Sequence, residues 1–353
     1  MKSNYRYIVK AFMAMAVIAG TTSCDDFLDR EPMSSISPET YYSTAAQLEA
    51  NLNDEYPNVL PSFGQWTYGI FGEDKGTDNQ IEVNANDRYT QDRWKVPHSE
   101  SDNWKFERIY RINFFLSEAL PKFGEDMSGS QNTISGSVAT IKHYIGEMYF
   151  LRAYEYFKKL QLFGDFPIIN QPLADEMEAL REASKRFPRN EVARFIISDL
   201  DKAYAYMSDV DMATTRINKD VAMLVKSRVA LFEATWLQNF KGTAFVPGGE
   251  GWPGASLHNN YQYPSGNIDN EVKYFLEQAV EASKLVADKY KGSLTENTGV
   301  LQQSADDPSN PYFDMFAQED LSDVKEVLLW RQYARGLSTH NINAAAGRGN
   351  YRI

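Results

Sequence analysis

Residues 138–163 read VATIKHYIGEMYFLRAYEYFKKLQLF, and residues 164–170 continue GDFPIIN. Val138, Ile141, Ile145, Met148, Arg152 and Tyr156 recur at spacings of three and four, which puts them on one side of a helix. A Gly/Ser-rich break over 127–137 opens this stretch, and Gly164-Asp165 closes it, so it forms the longest helical pattern in the chain. Pro167 and Pro172 bracket Ile168-Ile169 as a short extended piece.

The same period continues on both sides. Toward the N-terminus, residues 101–120 place Trp104, Ile112, Phe115 and Ala119 on one side, with Pro121 as the stop. Before that, Ser37-Pro38 signals a start, and Tyr41, Ala45, Leu48 and Leu52 carry the helix to about Tyr56, where Pro57 and Pro61 end it. Toward the C-terminus, Pro188-Arg189-Asn190 opens a helix with Val192, Ile196, Leu200, Ala203 and Met207 inward. Asn218 caps the next, with Val221, Val225, Arg228, Leu231 and Thr235 aligned. Another runs over 269–290, with Val272, Leu276, Ala279, Ser283 and Val286 aligned. Residues 326–332 are β-rich and read as a short strand, and long irregular loops fill 62–103 and 242–267. The fold class is therefore mainly α, a helical-repeat scaffold with little strand.

Composition excludes several function classes. Among 353 residues, Lys and Arg total 36 against 48 Asp and Glu, a net charge of -12 with no basic stripe, so no nucleic-acid partner is expected. No apolar run reaches the roughly 18 residues of a membrane-spanning helix. One Cys forbids an internal disulfide, and His98, His143, His258 and His340 do not pair at metal-ligand spacing, so no metal or cofactor is expected. No P-loop, dinucleotide fingerprint, nucleophile elbow or zincin motif is present, so no motif favours catalysis.

The N-terminus reads as an address. Lys2, Arg6 and Lys10 precede an apolar stretch over 11–20, then Thr21-Thr22-Ser23-Cys24. Residues 1–23 read as a signal peptide and Cys24 as the lipid-bearing first residue of an exported lipoprotein. The aromatics divide by context. Trp104, Trp236 and Trp330 fall in regular patterns and are assigned to packing, whereas Trp66, Trp94 and Trp252 fall in polar loops. Tyr68 and Tyr89 accompany the first two, and Tyr261 and Tyr263 the third. Such rings offer flat faces on which the C–H face of a sugar or an apolar peptide side chain can stack.

The run from Gly146 to Phe157, GEMYFLRAYEYF, followed by LFGDFPII at 162–169, closely resembles the hallmark of SusD/RagB-like outer-membrane nutrient-binding lipoproteins. Further blocks agree in the same order: CDDFLD at 24–29, IYRINFFL at 109–116, Pro188-Arg189 before ISDLDKA at 197–203, NPYF at 310–313, and 326–331. The resemblance implies a mainly α fold with tetratricopeptide-like helix pairs in a right-handed repeat scaffold. It also implies a surface-exposed lipoprotein of the cell outer membrane, anchored through Cys24. Such a protein would not be an enzyme; it would bind a glycan, in some members a peptide, and pass it as a hinged lid to a SusC-like TonB-dependent transporter. Residues 24–353 would form the SusD-like helical domain, with 24–240 its N-terminal portion and 241–353 the start of a C-terminal portion. Members of the family are usually longer, so the rest of that portion is expected to be missing. In relatives, ligand contacts come from the loop between the first two helices and from the segment after the last block. Those correspond here to 63–95 and 332–349, which adds weight to Trp66, Tyr68, Tyr89 and Trp94 and brings in His340, beside Trp252 from its own loop. Arg152, on the apolar face, is expected to bond backbone carbonyls or a buried acid rather than ligand. Two alternatives remain open: a tetratricopeptide-type adaptor that binds protein or peptide only, and a secreted helical glycosidase or peptidase.

Overall fold

The computed structural model describes residues 41–61, 103–124, 126–208, 212–301, 304 and 306–334. The chain divides into two units, Met1–Tyr41 and Tyr42–Ile353, and every described residue but Tyr41 belongs to the second. Helix α1 spans Ala45–Val59. Its start is a reciprocal cap: Thr44 Oγ1 accepts from the Gln47 N–H (3.3 Å), and Gln47 Oε1 accepts from the Thr44 N–H (3.1 Å). The sequence start at Ser37-Pro38 lies outside the described residues. Pro57 does not end α1; it sits inside the last turn, which closes with the Leu60 N–H on the Tyr56 carbonyl.

Helix α2 spans Glu107–Phe123 and likewise runs through Pro121, stopping at Gly124 with φ of 101°. Helix α3 spans Val138–Phe163, 26 residues, or about 39 Å at 1.5 Å per residue. Ser137 caps it, and Gly164, at φ 67°, turns the chain out of it. Helix α4, Met177–Ala183, is a short exposed helix that the periodicity does not reveal. Helices α5 (Arg189–Tyr206), α6 (Lys219–Asn239) and α7 (Ile268–Tyr290) follow, and α8, Pro311–Ala317, is a short helix capped by Asn310.

Helix α3 is the hub: α1, α2 and α5 all pack on it, α6 packs on α5, and α7 on α6. Ile141, Ile145, Met148 and Tyr156 are buried as expected, while Val138 at the helix start is exposed. Gly146 sets the approach of α3 to α5. A Cβ there would lie 2.8 Å from the Met207 backbone N and 3.0 Å from the Ala203 carbonyl O. The expected face of α5 is buried throughout.

Two expected faces are corrected. On α6 the buried side carries Lys226, Val229, Ala230, Glu233, Ala234 and Leu237, whereas Arg228, Leu231 and Thr235 face outward. On α7 the buried side is Glu271, Phe275, Ala279, Ala282 and Val286, and Leu276 is exposed. In both helices the inward stripe contains charges, and each charge is paired. Lys226 bonds Asp201 (2.7 Å), Glu233 bonds Arg189 (2.9 Å) and Glu271 bonds Arg194 (2.7 Å). Apolar periodicity therefore located only part of each stripe, Val221 on α6 and Ala279 with Val286 on α7.

The fold is mainly helical, and no strand occurs among the described residues; two isolated bridges join Thr44 to Ser135 and Phe166 to Phe187. The expected strand at 326–332 is not formed. Its backbone bonds instead to isolated loop and cap groups, with the Trp330 N–H on the Thr214 carbonyl (3.1 Å) and the Leu328 carbonyl on Asn218 Nδ2 (2.9 Å). Among the described residues no helix is long and apolar enough to cross a membrane.

Candidate functional site

The hallmark stretch turns out to be a device for holding an irregular segment. Arg152 is buried and bidentate on Asp199, with Nε–Oδ2 at 2.7 Å and Nη2–Oδ1 at 2.9 Å. Its remaining nitrogen donates to Asn113 Oδ1 (2.9 Å) and the Asn170 carbonyl (3.1 Å). Tyr156 OH both donates to the Ile169 carbonyl (3.0 Å) and accepts from its N–H (2.7 Å). Phe166 is fully buried and stacks on Phe106 at 5.2 Å. These residues serve packing, as expected for Arg152.

Two clefts flank this framework. The first, about 510 Å³, lies between the end of α1 (Tyr56, Leu60, Pro61), the middle of α3 (Phe150, Tyr154), the start of α6 (Val221, Val225) and the segment Leu329, Trp330, Arg331, Gln332. Tyr56 is fixed from behind: its OH donates to Glu147 Oε2 and accepts from the Ile217 N–H (3.0 Å). Burial, and then the adjacent Glu147 charge, push the Tyr56 hydroxyl well above its ordinary pKa, so it stays a neutral donor. Glu147, fully buried, also accepts two bonds from Arg216 at 3.0 Å each and lies 3.2 Å from His143 Nε2. Burial would depress the Arg216 guanidinium, but the charge and hydrogen bonds of Glu147 together with the neighbouring Tyr56 and Tyr144 outweigh it and hold it above the usual value. Trp330 is anchored through its indole N–H to Thr214 Oγ1 (2.8 Å). Arg331 Nη1 reaches the Pro61 carbonyl at 3.5 Å, so these two residues border the same rim.

The second cleft, about 590 Å³, lies at the far ends of α3 and α6 and under the loop that follows α6. Asp165 sits at its base. Oδ2 accepts from the Trp252 indole N–H (2.7 Å) and Oδ1 from the Arg189 backbone N–H (2.9 Å). Burial raises the Asp165 carboxyl above the ordinary value against the pull of the Trp252 bond. The Arg189 guanidinium lies 4.1 Å from the centre of the Trp236 ring and is committed to Glu233. Arg186 lies 4.6 Å from the centre of the Trp104 ring.

Of the residues proposed from sequence, Trp252 is described. It is 5% exposed, and its N–H is committed to Asp165 at the wall of the second cleft. Trp66, Tyr68, Tyr89, Trp94, His340 and Cys24 lie outside the described residues. Trp330, read as packing, is anchored as packing requires and also lines the first cleft. Tyr56, Tyr154, Asp165 and Arg186 went unnoticed as site residues. Tyr154 falls within the hallmark stretch, and a helix-end Asp after Gly was the only signal for Asp165. Among the described residues no group of three or more His, Cys, Asp or Glu is placed to hold a metal ion.

A SusD-like family model described as "Starch-binding associating with outer membrane" matches residues 26–231. SusD-like protein P2 of Formosa agariphila is 25% identical over 253 residues, covering 68% of this chain and 46% of the relative. SusD-like protein P25 of the same organism is 25% identical over 233 residues, covering 61% and 41%. The chain thus spans less than half the length of these curated relatives. Among solved structures, a SusD-like protein from Bacteroides fragilis superposes with a TM-score of 0.42 at 21% identity, over 60% of this chain and 39% of that one. A laminarin-binding SusD-like protein gives 0.29 at 21% identity, over 38% and 27%.

Proposed function

The chain belongs to the SusD-like family, and on that premise we propose that it is a non-catalytic glycan-binding lipoprotein of the outer-membrane surface. In this reading Cys24 carries the lipid, residues 1–23 are removed, and the bound saccharide is handed to a SusC-like TonB-dependent transporter. The observation that carries the reading, beyond membership, is the rim of the first cleft. Pro61 and Arg331 meet there, and from that point the chain runs into the two segments that hold Trp66, Tyr68, Tyr89, Trp94 and His340. The cleft itself supplies aromatic walls and the guanidinium of Arg331, within the roughly 300–1,000 Å³ usual for small-ligand sites.

A saccharide stacked on one ring gains affinity comparable to an aromatic pair, about 0.5–1.5 kcal/mol, so each ring contributes up to about tenfold. Trp94→Ala is therefore expected to weaken binding of maltoheptaose or a laminari-oligosaccharide by up to about tenfold in calorimetric titration, with the melting temperature unchanged. A matching fall in melting temperature would assign the ring to packing. Product formation from either saccharide, abolished by single Asp or Glu changes, would replace this reading with a glycosidase.

A further inference from the structure

Helices α3 and α6 both run past the two clefts, yet the clefts share no lining residue. From Val225 in the first to Trp236 in the second is about 16 Å of helix. The second cleft also differs in character, because polar groups converge on it. Asp165 is oriented by two donors, the Trp252 indole and the Arg189 N–H, yet a carboxylate offers about four acceptor positions. The unused ones remain for an outside hydroxyl. Arg186 makes no salt bridge among the described residues. Its guanidinium lies over the Trp104 ring, which takes up none of its N–H groups as hydrogen-bond donors. Phe245, 62% exposed, presents a ring at the mouth. Its backbone carbonyl accepts the Trp236 indole N–H at 3.0 Å, which fixes the loop that carries it.

A fixed acceptor, a free fork of donors and an open ring, all bordering one cleft, match the alternating O–H donors, O acceptors and C–H face of a pyranose. We propose that this cleft is a second saccharide site, separate from the first, in which Phe245 stacks on the sugar, Asp165 accepts from its hydroxyls and Arg186 donates to them. Trp252 acts here through Asp165, as a positioning residue. The inference rests on reading the chain as a glycan-binding protein.

The test uses the full chain labelled with 5-fluorotryptophan, whose six signals are assigned by single Trp→Phe changes and followed by ¹⁹F NMR. The probes are malto-, laminari-, xylo- and manno-oligosaccharides. At least one probe is expected to shift the Trp236 and Trp252 signals saturably. Arg186→Gln combined with Phe245→Ala, both exposed side chains, should raise the half-saturating concentration for those two signals by about tenfold. The Trp66, Trp94 and Trp330 titrations should stay the same. If probes move only Trp66, Trp94 or Trp330, the second site is refuted while the proposed function stands. If none of the six signals moves with any probe, both fail. An unchanged Trp236 and Trp252 titration in the double variant also overturns the proposal.

Discussion

Removing the charge of Asp199 isolates the contribution of the hallmark arginine. Asp199→Asn keeps the shape but leaves a guanidinium, 4% exposed, facing the amide oxygens of Asn113, Asn170 and the introduced side chain in place of a carboxylate. Breaking a buried pair from one side costs about 3–5 kcal/mol. At about 2–4 °C per kcal/mol for a domain of this size, the melting temperature should fall by about 6–20 °C. Arg152→Met should cost more. It leaves Asp199 facing Lys202 Nζ at 3.7 Å and strips donors from Asn113 and Asn170, each orphaned acceptor adding about 1–3 kcal/mol. The double change Arg152→Met with Asp199→Leu removes both charges together and should be less damaging than Arg152→Met alone, with a coupling of at least about 2 kcal/mol. Urea unfolding followed by circular dichroism measures these variants together with Asp199→Leu alone, which completes the double-mutant cycle. A coupling below about 0.5 kcal/mol would refute the reasoning. So would an Arg152→Met protein of normal stability that has lost saccharide binding, because the arginine would then belong to the ligand.

Gly146→Ala should destabilise by about 1–3 kcal/mol in the same unfolding assay, because its Cβ would meet the α5 backbone at 2.8 Å; the roughly 1 kcal/mol gain in helix propensity does not offset this. Asn218→Ala removes both the α6 cap and the anchor of Leu328, so it should cost about 1–2 kcal/mol and also weaken binding at the first cleft, seen as faster saccharide release. Glu271 is buried, which would raise its pKa, but bonds from Arg194, Asn190 and Ser265 outweigh that and hold it below 4.5. Its stabilising contribution is therefore present above that value and lost as pH falls through the lower folded value. Glu271→Gln should flatten this acid limb in melting curves taken from pH 6 to pH 3.

The sequence revealed the apolar part of each inward stripe and, Arg152 apart, not the charges inside it, which α3 and α5 also bury, Glu147 and Asp199 among them. On α3 and α5 the expected faces are buried almost residue for residue, since Ile, Val, Leu and Met need no partner to be inside. On α6 and α7 the stripe was only partly located because Lys226, Glu233 and Glu271 are inside, and their burial depends on Asp201, Arg189 and Arg194, which lie far along the chain. Residues 326–332 have strand-like composition, but a strand requires a second strand beside it, and among the described residues their backbone meets a cap residue and a loop. Of the site, loop aromatics such as Trp252 were legible because a ring in a polar loop is conspicuous. Asp165 and Arg186 were not, because their significance comes from distances to Trp252, Arg189 and Trp104 that only the folded chain creates.

The segment from Gly164 to Asn170 has a consequence for how sequences of this kind drift. A helix satisfies its own N–H and C=O groups whatever side chains it carries, so its surface can be rewritten freely. This segment instead borrows Tyr156, Asn113 and Arg152 to satisfy its carbonyls. Replacing Arg152 strands the Asn170 carbonyl and replacing Tyr156 strands the Ile169 N–H, while Tyr156 and Asn113 share the Ile169 carbonyl. Saturation mutagenesis should therefore find a narrow band of intolerant positions here within an otherwise permissive surface. That band gives the chain a short readable signature even where three residues in four differ from a relative.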